Sequence, residues 1–452
     1  MLFKFLIIAL IEILKCSTEN YYDFDISGNA LDGYYITSNI GTPPQRINLL
    51  VDTGSSNLAV TVVHQKNLKS PYFAYNDSHT FCPTNTSVQL LYVQGYWTGF
   101  LGLDIFNLCL EEDCAVICNI SCMSSMKDIF YDNSKFHGII GLAYSSIALP
   151  DSSVRPPLDV FFDEKNMTNI FALYLCGPFY SSKDHSSSCG KLHVGHYCQN
   201  LISGDIMYTP IIHEWFYEIT LVDIKVDKQS VPITCDEFNK NKSIIDSGTT
   251  NLNLPLNLYK WVVEKMKDHV ANFIPRNFWL NETVLCIKNN SFNTALFPLL
   301  TLSLYHSHNK FFNLYVSPEL YLLPVLNTSC AMLAIGISNY GVMIGASILR
   351  GFYVIFDREE KRIGFANPRF QNIKFISEVS NLDIHSGDFD HCIRKESIQD
   401  LIFPPVLVFI LLGLLLITFC VLVPLITWLW KFHIKKINKM DKSDIMNLVE
   451  EE

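Results

Sequence analysis

Apolar residues along most of this chain come in short runs, or alternate with polar ones, and Gly, Pro, Asn and Asp separate the runs. A period of two broken by such residues predicts strands and turns. Tyr34-Tyr35-Ile36-Thr37 begins a strand, Gly41-Thr42-Pro43-Pro44-Gln45 turns it, and Ile47-Asn48-Leu49-Leu50-Val51 returns. Leu90 to Gly99 predicts a hairpin turning at Gly95. Helical periodicity is rare. Over Leu256 to Val270, Leu258, Val262, Val263 and Met266 share one face and Lys260, Glu264 and Lys267 lie on the other. Two apolar stretches are of another kind. Met1 to Cys16, with an early Lys4, reads as a secretory signal peptide, although Glu12 and Lys15 interrupt it. Leu401 to Trp430 carries no charge and exceeds the roughly 20 residues that span a bilayer as a helix.

One pattern occurs twice. Asp52-Thr53-Gly54-Ser55-Ser56 follows the apolar run ending at Val51, and Asp246-Ser247-Gly248-Thr249-Thr250 follows Ser243-Ile244-Ile245. Each predicts a buried strand that ends in Asp and enters a tight turn carrying hydroxyl groups. The two copies lie 194 residues apart. Gly138-Ile139-Ile140-Gly141 and Val342-Met343-Ile344-Gly345 form a second repeated pair, one in each half. Glycine there lets two backbones approach, so both are expected to pack beside the Asp turns. The repeats imply two related lobes, each bringing one carboxylate to a shared site.

Two carboxylates held close share one proton over a wide pH range. The ionised member can take a proton from a water between them, and the protonated member can give one to a peptide carbonyl. Gly54 and Gly248 allow the close approach, and Ser55 and Thr249 can hydrogen-bond the outer carboxylate oxygens. The competing reading of each copy alone is an ordinary Asx turn.

Charge and cysteine usage narrow the setting. The net charge is −10 and no basic run precedes residue 431, so nucleic acid is not an expected partner. Lys431, Lys435, Lys436, Lys439 and Lys442 follow Trp428 and Trp430, which places that side of the apolar segment in the cytoplasm and residues 17–400 in the lumen or outside. Of 14 cysteines, Cys16 falls in the expected leader and Cys420 in the membrane segment, and the rest allow up to six disulfides. Cys109, Cys114, Cys118 and Cys122 crowd one stretch, where a zinc site is the alternative to disulfides. Asn-x-Ser/Thr sequons begin at Asn76, Asn85, Asn119, Asn166, Asn241, Asn281, Asn289 and Asn327.

Over residues 33–370 the chain resembles the pepsin-like aspartic proteases, and within them the membrane-bound memapsin or β-secretase group. Leu58 followed by Ala59-Val60, Trp97 after the hairpin, Glu214-Trp215-Phe216-Tyr217-Glu218, Lys242 to Leu252, and Gly351 to Arg358 carry the narrower likeness. The resemblance implies a bilobal all-β fold with one C-terminal transmembrane helix. It implies Asp52 and Asp246 as the catalytic dyad, supported by Thr53, Gly54, Ser55, Ser247, Gly248 and Thr249. It implies a mobile flap over the cleft bearing Tyr92, with Gln94, Gly95 and Trp97 in the same hairpin. It implies disulfides Cys235–Cys392 and Cys286–Cys330, and Asn253 and Leu323 in place of two arginines that face the cleft in that group. Cys176 matches a cysteine of the group whose usual partner is missing here.

The expected organisation is a signal peptide (1–16), a short N-terminal segment with little room for a propeptide (17–32), lobes at 33–210 and 211–370, a stalk (371–400), a membrane helix (401–430) and a tail (431–452). The expected function is a type I membrane aspartic endopeptidase of the secretory pathway, endosome, Golgi or cell surface. It would cut lumenal or extracellular parts of proteins, many of them membrane-anchored, with neither metal nor cofactor. The alternatives are an inactive pepsin-fold binding module or receptor, and an adhesion ectodomain. Both explain the two intact Asp turns less well.

Overall fold

In a computed structural model, the two Asp-ended runs are strands, Gln45–Asp52 and Ser243–Asp246, and each has the same neighbours. Gln45–Asp52 runs parallel to Gly138–Gly141, which is antiparallel to Leu58–Thr61, which is parallel to Ala115–Lys127. Ser243–Asp246 runs parallel to Met343–Gly345, which is antiparallel to Leu252–Pro255, which is parallel to Ile335–Ser338. In each half the glycine-ended strand is therefore inserted between the strand before the Asp turn and the strand after it. The insertion explains the glycines. A Cβ on Gly141 would stand 2.5 Å from the Ser56 carbonyl carbon, and one on Gly345 would stand 2.3 Å from the Asn251 oxygen. These strands are covered on both faces, which is why they read as continuous apolar runs.

The structure describes residues 20–62, 72–92, 95–110, 114–130, 134–175, 190–270, 274–286, 294–325, 328–369, 383–394, 413–414 and 418–437. The chain divides into two units, Met1–Arg394 and Lys395–Glu452.

Within the first unit, one 13-stranded sheet takes strands from both halves of the sequence. Tyr353–Asp357 of the second half pairs with Ile170–Tyr174 of the first. Phe171 stacks on Phe356 at 4.5 Å between ring centroids, with Tyr217 edge-on to Phe356 at 4.6 Å. The expected lobes thus share one sheet and one core. Residues 17–32 read as a short N-terminal segment, at most a remnant propeptide, but Tyr22–Asn29 is a strand of that sheet, between Gly190–Val194 and Gly33–Ile40. Its signal was present: Tyr22, Phe24 and Ile26 alternate with Asp23 and Asp25, and Phe24 and Ile26 are buried.

The predicted hairpin is Cys82–Tyr92 and Gly95–Asn107, with Tyr92 opposite Gly95 and Leu90 opposite Trp97. The predicted helix is Leu256–Val270, burying Leu258, Val262, Val263 and Met266. A second helix, Pro157–Lys165, and several shorter ones make the fold mostly β rather than all β.

The stretch read as a stalk is folded in part. Ile384–Ser386 adds to the strand Lys310–Val316, and the folded unit continues to Arg394. Of the segment expected to span a membrane, only 413–414 and 418–430 are described. They hold a π turn, Thr418–Leu422, and the start of the helix Val423–Ile437. Among the described residues no helix is long and apolar enough to cross a membrane. The expected leader lies outside the described residues.

Disulfides join Cys109 to Cys114, Cys235 to Cys392 and Cys286 to Cys330. Cys118 and Cys122, grouped with Cys109 in the sequence, are buried thiols. Cys176 lies outside the described residues.

The Cys235–Cys392 bond spans 157 positions. Closing so long a loop restricts the unfolded chain and contributes roughly 4–5 kcal/mol. Cys392→Ser should therefore lower the thermal midpoint markedly, and an unchanged melting curve would refute this.

Candidate active site

Both Asp turns fold around their own carboxylate. The Gly54 N–H donates to Asp52 Oδ1 at 2.8 Å, and the Ser55 hydroxyl donates to Oδ2. The Gly248 and Thr249 N–H groups donate to Asp246 Oδ1 at 3.0 and 3.2 Å, and the Thr249 hydroxyl donates to Oδ2 at 2.7 Å. A carboxylate can accept several such bonds, and these hold each one in a fixed rotamer.

The turns are then locked to each other. The Thr53 N–H donates to Ser247 Oγ at 3.0 Å, and the Ser247 N–H donates to Thr53 Oγ1 at 2.9 Å. Each hydroxyl also donates onward to the opposite chain: Ser247 to the Val51 carbonyl at 2.7 Å and Thr53 to the Ile245 carbonyl at 3.1 Å. Thr53 and Ser247 are buried, so these bonds are shielded from water. Serine and threonine suit the position because each accepts from one backbone and donates to another.

The glycines complete the approach, each against the other turn's carboxylate. A Cβ on Gly54 would lie 2.5 Å from Asp246 Oδ1, and a Cβ on Gly248 would lie 2.3 Å from Asp52 Oδ1. No side chain fits at either place.

Asp52 and Asp246 are 5% and 7% exposed. Burial raises both carboxyls above the ordinary carboxylate range, and the Asp246 charge raises Asp52 further. Hydrogen bonds from Ser55 and Gly54, and from Thr249 and Gly248, oppose the rise. The two titrate as a pair and hold one proton between them into less acidic conditions than a free carboxyl would.

The remaining expected residues scatter. Tyr92 ends the first strand of the hairpin. Gly95 opposite it has φ +150°, and a Cβ there would meet the Lys127 carbonyl oxygen at 2.4 Å. Gln94 lies outside the described residues. Trp97, two residues past Gly95, is fully buried with Ala59, Val88, Leu101 and Met123, so it is a core residue. Asn253 lies on Leu252–Pro255 with its Oδ1 against Gly336. Leu323, expected at the cleft, is 1% exposed and packs in the core opposite Met332. Its apolar side chain finds a better place there than at a wet surface.

A third shell was not anticipated. The Leu142 N–H donates to the Asp52 carbonyl at 2.8 Å, and the buried Tyr217 hydroxyl donates to the Leu142 carbonyl at 2.5 Å. Tyr217 stands in a run that the resemblance marked but to which no role was given.

A family model described as eukaryotic aspartyl protease matches residues 33–368. A β-secretase of Strongylocentrotus purpuratus is 36% identical over 398 residues, covering 80% of this chain and 74% of the relative. Pepsin II-1 of Oryctolagus cuniculus is 26% identical over 359 residues, 77% of this chain and 82% of the relative. Renin of Echis ocellatus is 27% identical over 345 residues, 74% and 80% respectively.

Two outcomes are expected of this geometry. Gly248→Ala should cut kcat by about 10²-fold or more, because parting the carboxylates by even 1 Å misplaces the reacting groups; kinetics within threefold of the parent would exclude this. Asp52→Asn should raise stability at neutral pH. The folded pair keeps a proton that the unfolded carboxyl releases, so the pair's contribution falls as pH rises from about 4 through its raised range. The variant's advantage in urea unfolding should be present at pH 7 and shrink at pH 4. The opposite trend would mean that the dyad is not held protonated.

Proposed function

The chain belongs to the eukaryotic aspartyl protease family and is an aspartic endopeptidase, and from that premise we propose that Asp52 and Asp246 activate one water between them to cut membrane-proximal protein substrates. The observation that carries the dyad is the crossed contact of each turn glycine with the other turn's carboxylate. It supports a single site shared by the two turns.

The ionised carboxylate takes a proton from the water as its oxygen adds to the scissile carbonyl carbon. The protonated carboxyl gives its proton to the carbonyl oxygen. The resulting diol collapses, the C–N bond breaks, and a proton passes to the departing amine. Ser55 and Thr249 hold the Oδ2 oxygens and the turn N–H groups hold Oδ1, so each carboxylate keeps a fixed orientation toward the water. None of these steps calls for a metal or organic cofactor. The hairpin bearing Tyr92 and Gly95 closes over the substrate and excludes water.

The β-secretase likeness and the apolar Leu401–Trp430 followed by lysines support a type I anchor with the catalytic unit in the lumen or outside the cell. Alkaline carbonate should leave the full chain in the membrane pellet and release a chain ending at residue 400. The folded unit ends on a buried pair, Arg394 with Glu218, which leaves 395–400 ahead of the apolar segment. So short a connection favours substrates anchored in the same membrane. Asn253 carries no charge and Leu323 is withdrawn into the core, so a neutral residue should be accepted two positions before the cut, and a peptide library preferring acidic residues there would contradict this.

Hydrolysis of a quenched peptide tests the chemistry. Activity should follow a bell in pH with its maximum on the acid side and disappear with a pepstatin-type inhibitor. Asp52→Asn and Asp246→Asn should each lose about 10²–10⁴-fold or more. Substantial turnover by either would sink the mechanism.

A further inference from the structure

Away from the dyad, three side chains converge on the outer face of the shared sheet. Asp23 stands opposite His193 in the register of Tyr22–Asn29 with Gly190–Val194, and His196 follows on the next turn. His193 Nδ1 lies 2.6 Å and His196 Nε2 lies 2.7 Å from the same oxygen, Asp23 Oδ1. The nitrogen and oxygen atoms all lie within 4.8 Å of one another. The two rings are near perpendicular, 84° apart with centroids at 5.1 Å.

We propose that Asp23, His193 and His196 form a zinc site that fastens the N-terminal strand to the sheet. Two ring nitrogens aimed at one point is the arrangement a cation needs. Both nitrogens are aimed at Asp23 Oδ1, so a zinc ion about 2.0–2.1 Å from each would sit between them once that oxygen swings back from its hydrogen-bonded position to become the third ligand. The carboxylate has room to turn aside by the small amount required, because the Asp23 side chain is 40% exposed. The exposed side also gives solvent access and a position for a water as fourth ligand. Two imidazoles and one carboxylate select zinc and its neighbours over magnesium or calcium, which prefer oxygen donors. Two of the ligands come from or adjoin paired strands, so the site sits on a rigid element. The His193 ring is buried, 3% exposed, with Tyr353 at 5.8 Å. Its Nε2 has no hydrogen-bond partner among the described residues. The bond to Asp23 uses a proton on Nδ1, and zinc must offset both the loss of that bond and the burial of an N–H that has no acceptor. Coordination through Nδ1 moves that proton to Nε2, with no change in the ring's charge. The ion would bridge positions 170 residues apart in sequence and add to the backbone ladder and the buried Phe24 and Ile26 that already secure the strand.

This inference does not rest on the protease reading, and its measurement does not use hydrolysis. Full-length protein is stripped with EDTA, then dialysed against zinc at about pH 7.5. One equivalent of zinc should be retained and the melting temperature should rise with zinc concentration, while magnesium leaves it unchanged. Cobalt in place of zinc should give visible d–d bands of a four-coordinate ion. Asp23→Asn and His196→Gln, both at partly exposed side chains, should each weaken zinc binding at least about tenfold and abolish the cobalt bands. A melting temperature indifferent to zinc overturns the proposal. So does zinc binding that both variants retain at parental affinity, which would place the ion elsewhere.

Discussion

Two buried carboxyls that repel each other when ionised must nonetheless be held in contact, and the fold is arranged to impose that contact. The proton shared between the carboxyls is only part of what holds them. The rest comes from the reciprocal bonds of Thr53 and Ser247, which tie each turn to the other's backbone, and from two glycines that remove the atoms in the way. Each turn is anchored from below by a strand inserted through its own half, with Gly141 or Gly345 at the crossing. The phenylalanines of the shared sheet, with Tyr217 packed on them, then fix one half against the other. Were the halves free to shift, the raised carboxyls would separate and ionise independently, since burial and mutual charge are what hold the proton.

The asymmetry between the turns is small. Asp52 is held by one backbone N–H and a serine, Asp246 by two backbone N–H groups and a threonine. The extra donor favours the charged form of Asp246, and the proton is therefore drawn toward Asp52. A dyad in which one member is biased to be the acid and the other the base requires no larger difference than this, because the two functions interchange within one turnover.

Much of this was legible in the sequence, for physical reasons. A buried strand that ends in Asp and a Gly-hydroxyl turn is a strong local signal, and its repetition supplied the partner. The glycine-ended strands were found the same way, and the helix Leu256–Val270 declared itself by period. What was missed depends on tertiary context. Tyr22–Asn29 alternates correctly but carries two aspartates, so its polarity masked its period. Leu323 was placed at the cleft by analogy with a charged residue. Leucine carries no charge to keep it wet, and it is buried. The folded end of the stalk depends on pairings over more than 150 positions, which no local pattern announces.

That folded end connects to the dyad by identifiable bonds. Arg394 reaches Glu218 at 2.6 Å, both nearly buried, and the Trp215 indole N–H donates to the same carboxylate at 2.6 Å. The Trp215 carbonyl accepts from the Tyr144 N–H, and Tyr217 beside it holds Leu142, which holds the Asp52 backbone. A buried ion pair is weak evidence of net stability, since its desolvation offsets most of the attraction. Its stronger effect is on register, because breaking one partner leaves an uncompensated charge inside the protein. The pair therefore specifies where the folded unit stops more than it strengthens the unit. Cys392, two residues earlier, does the complementary work of restricting the unfolded chain. One device selects the native position of the chain's end and the other limits how far it strays when unfolded. Together they make residues 383–394 part of the catalytic unit rather than a leash attached to it.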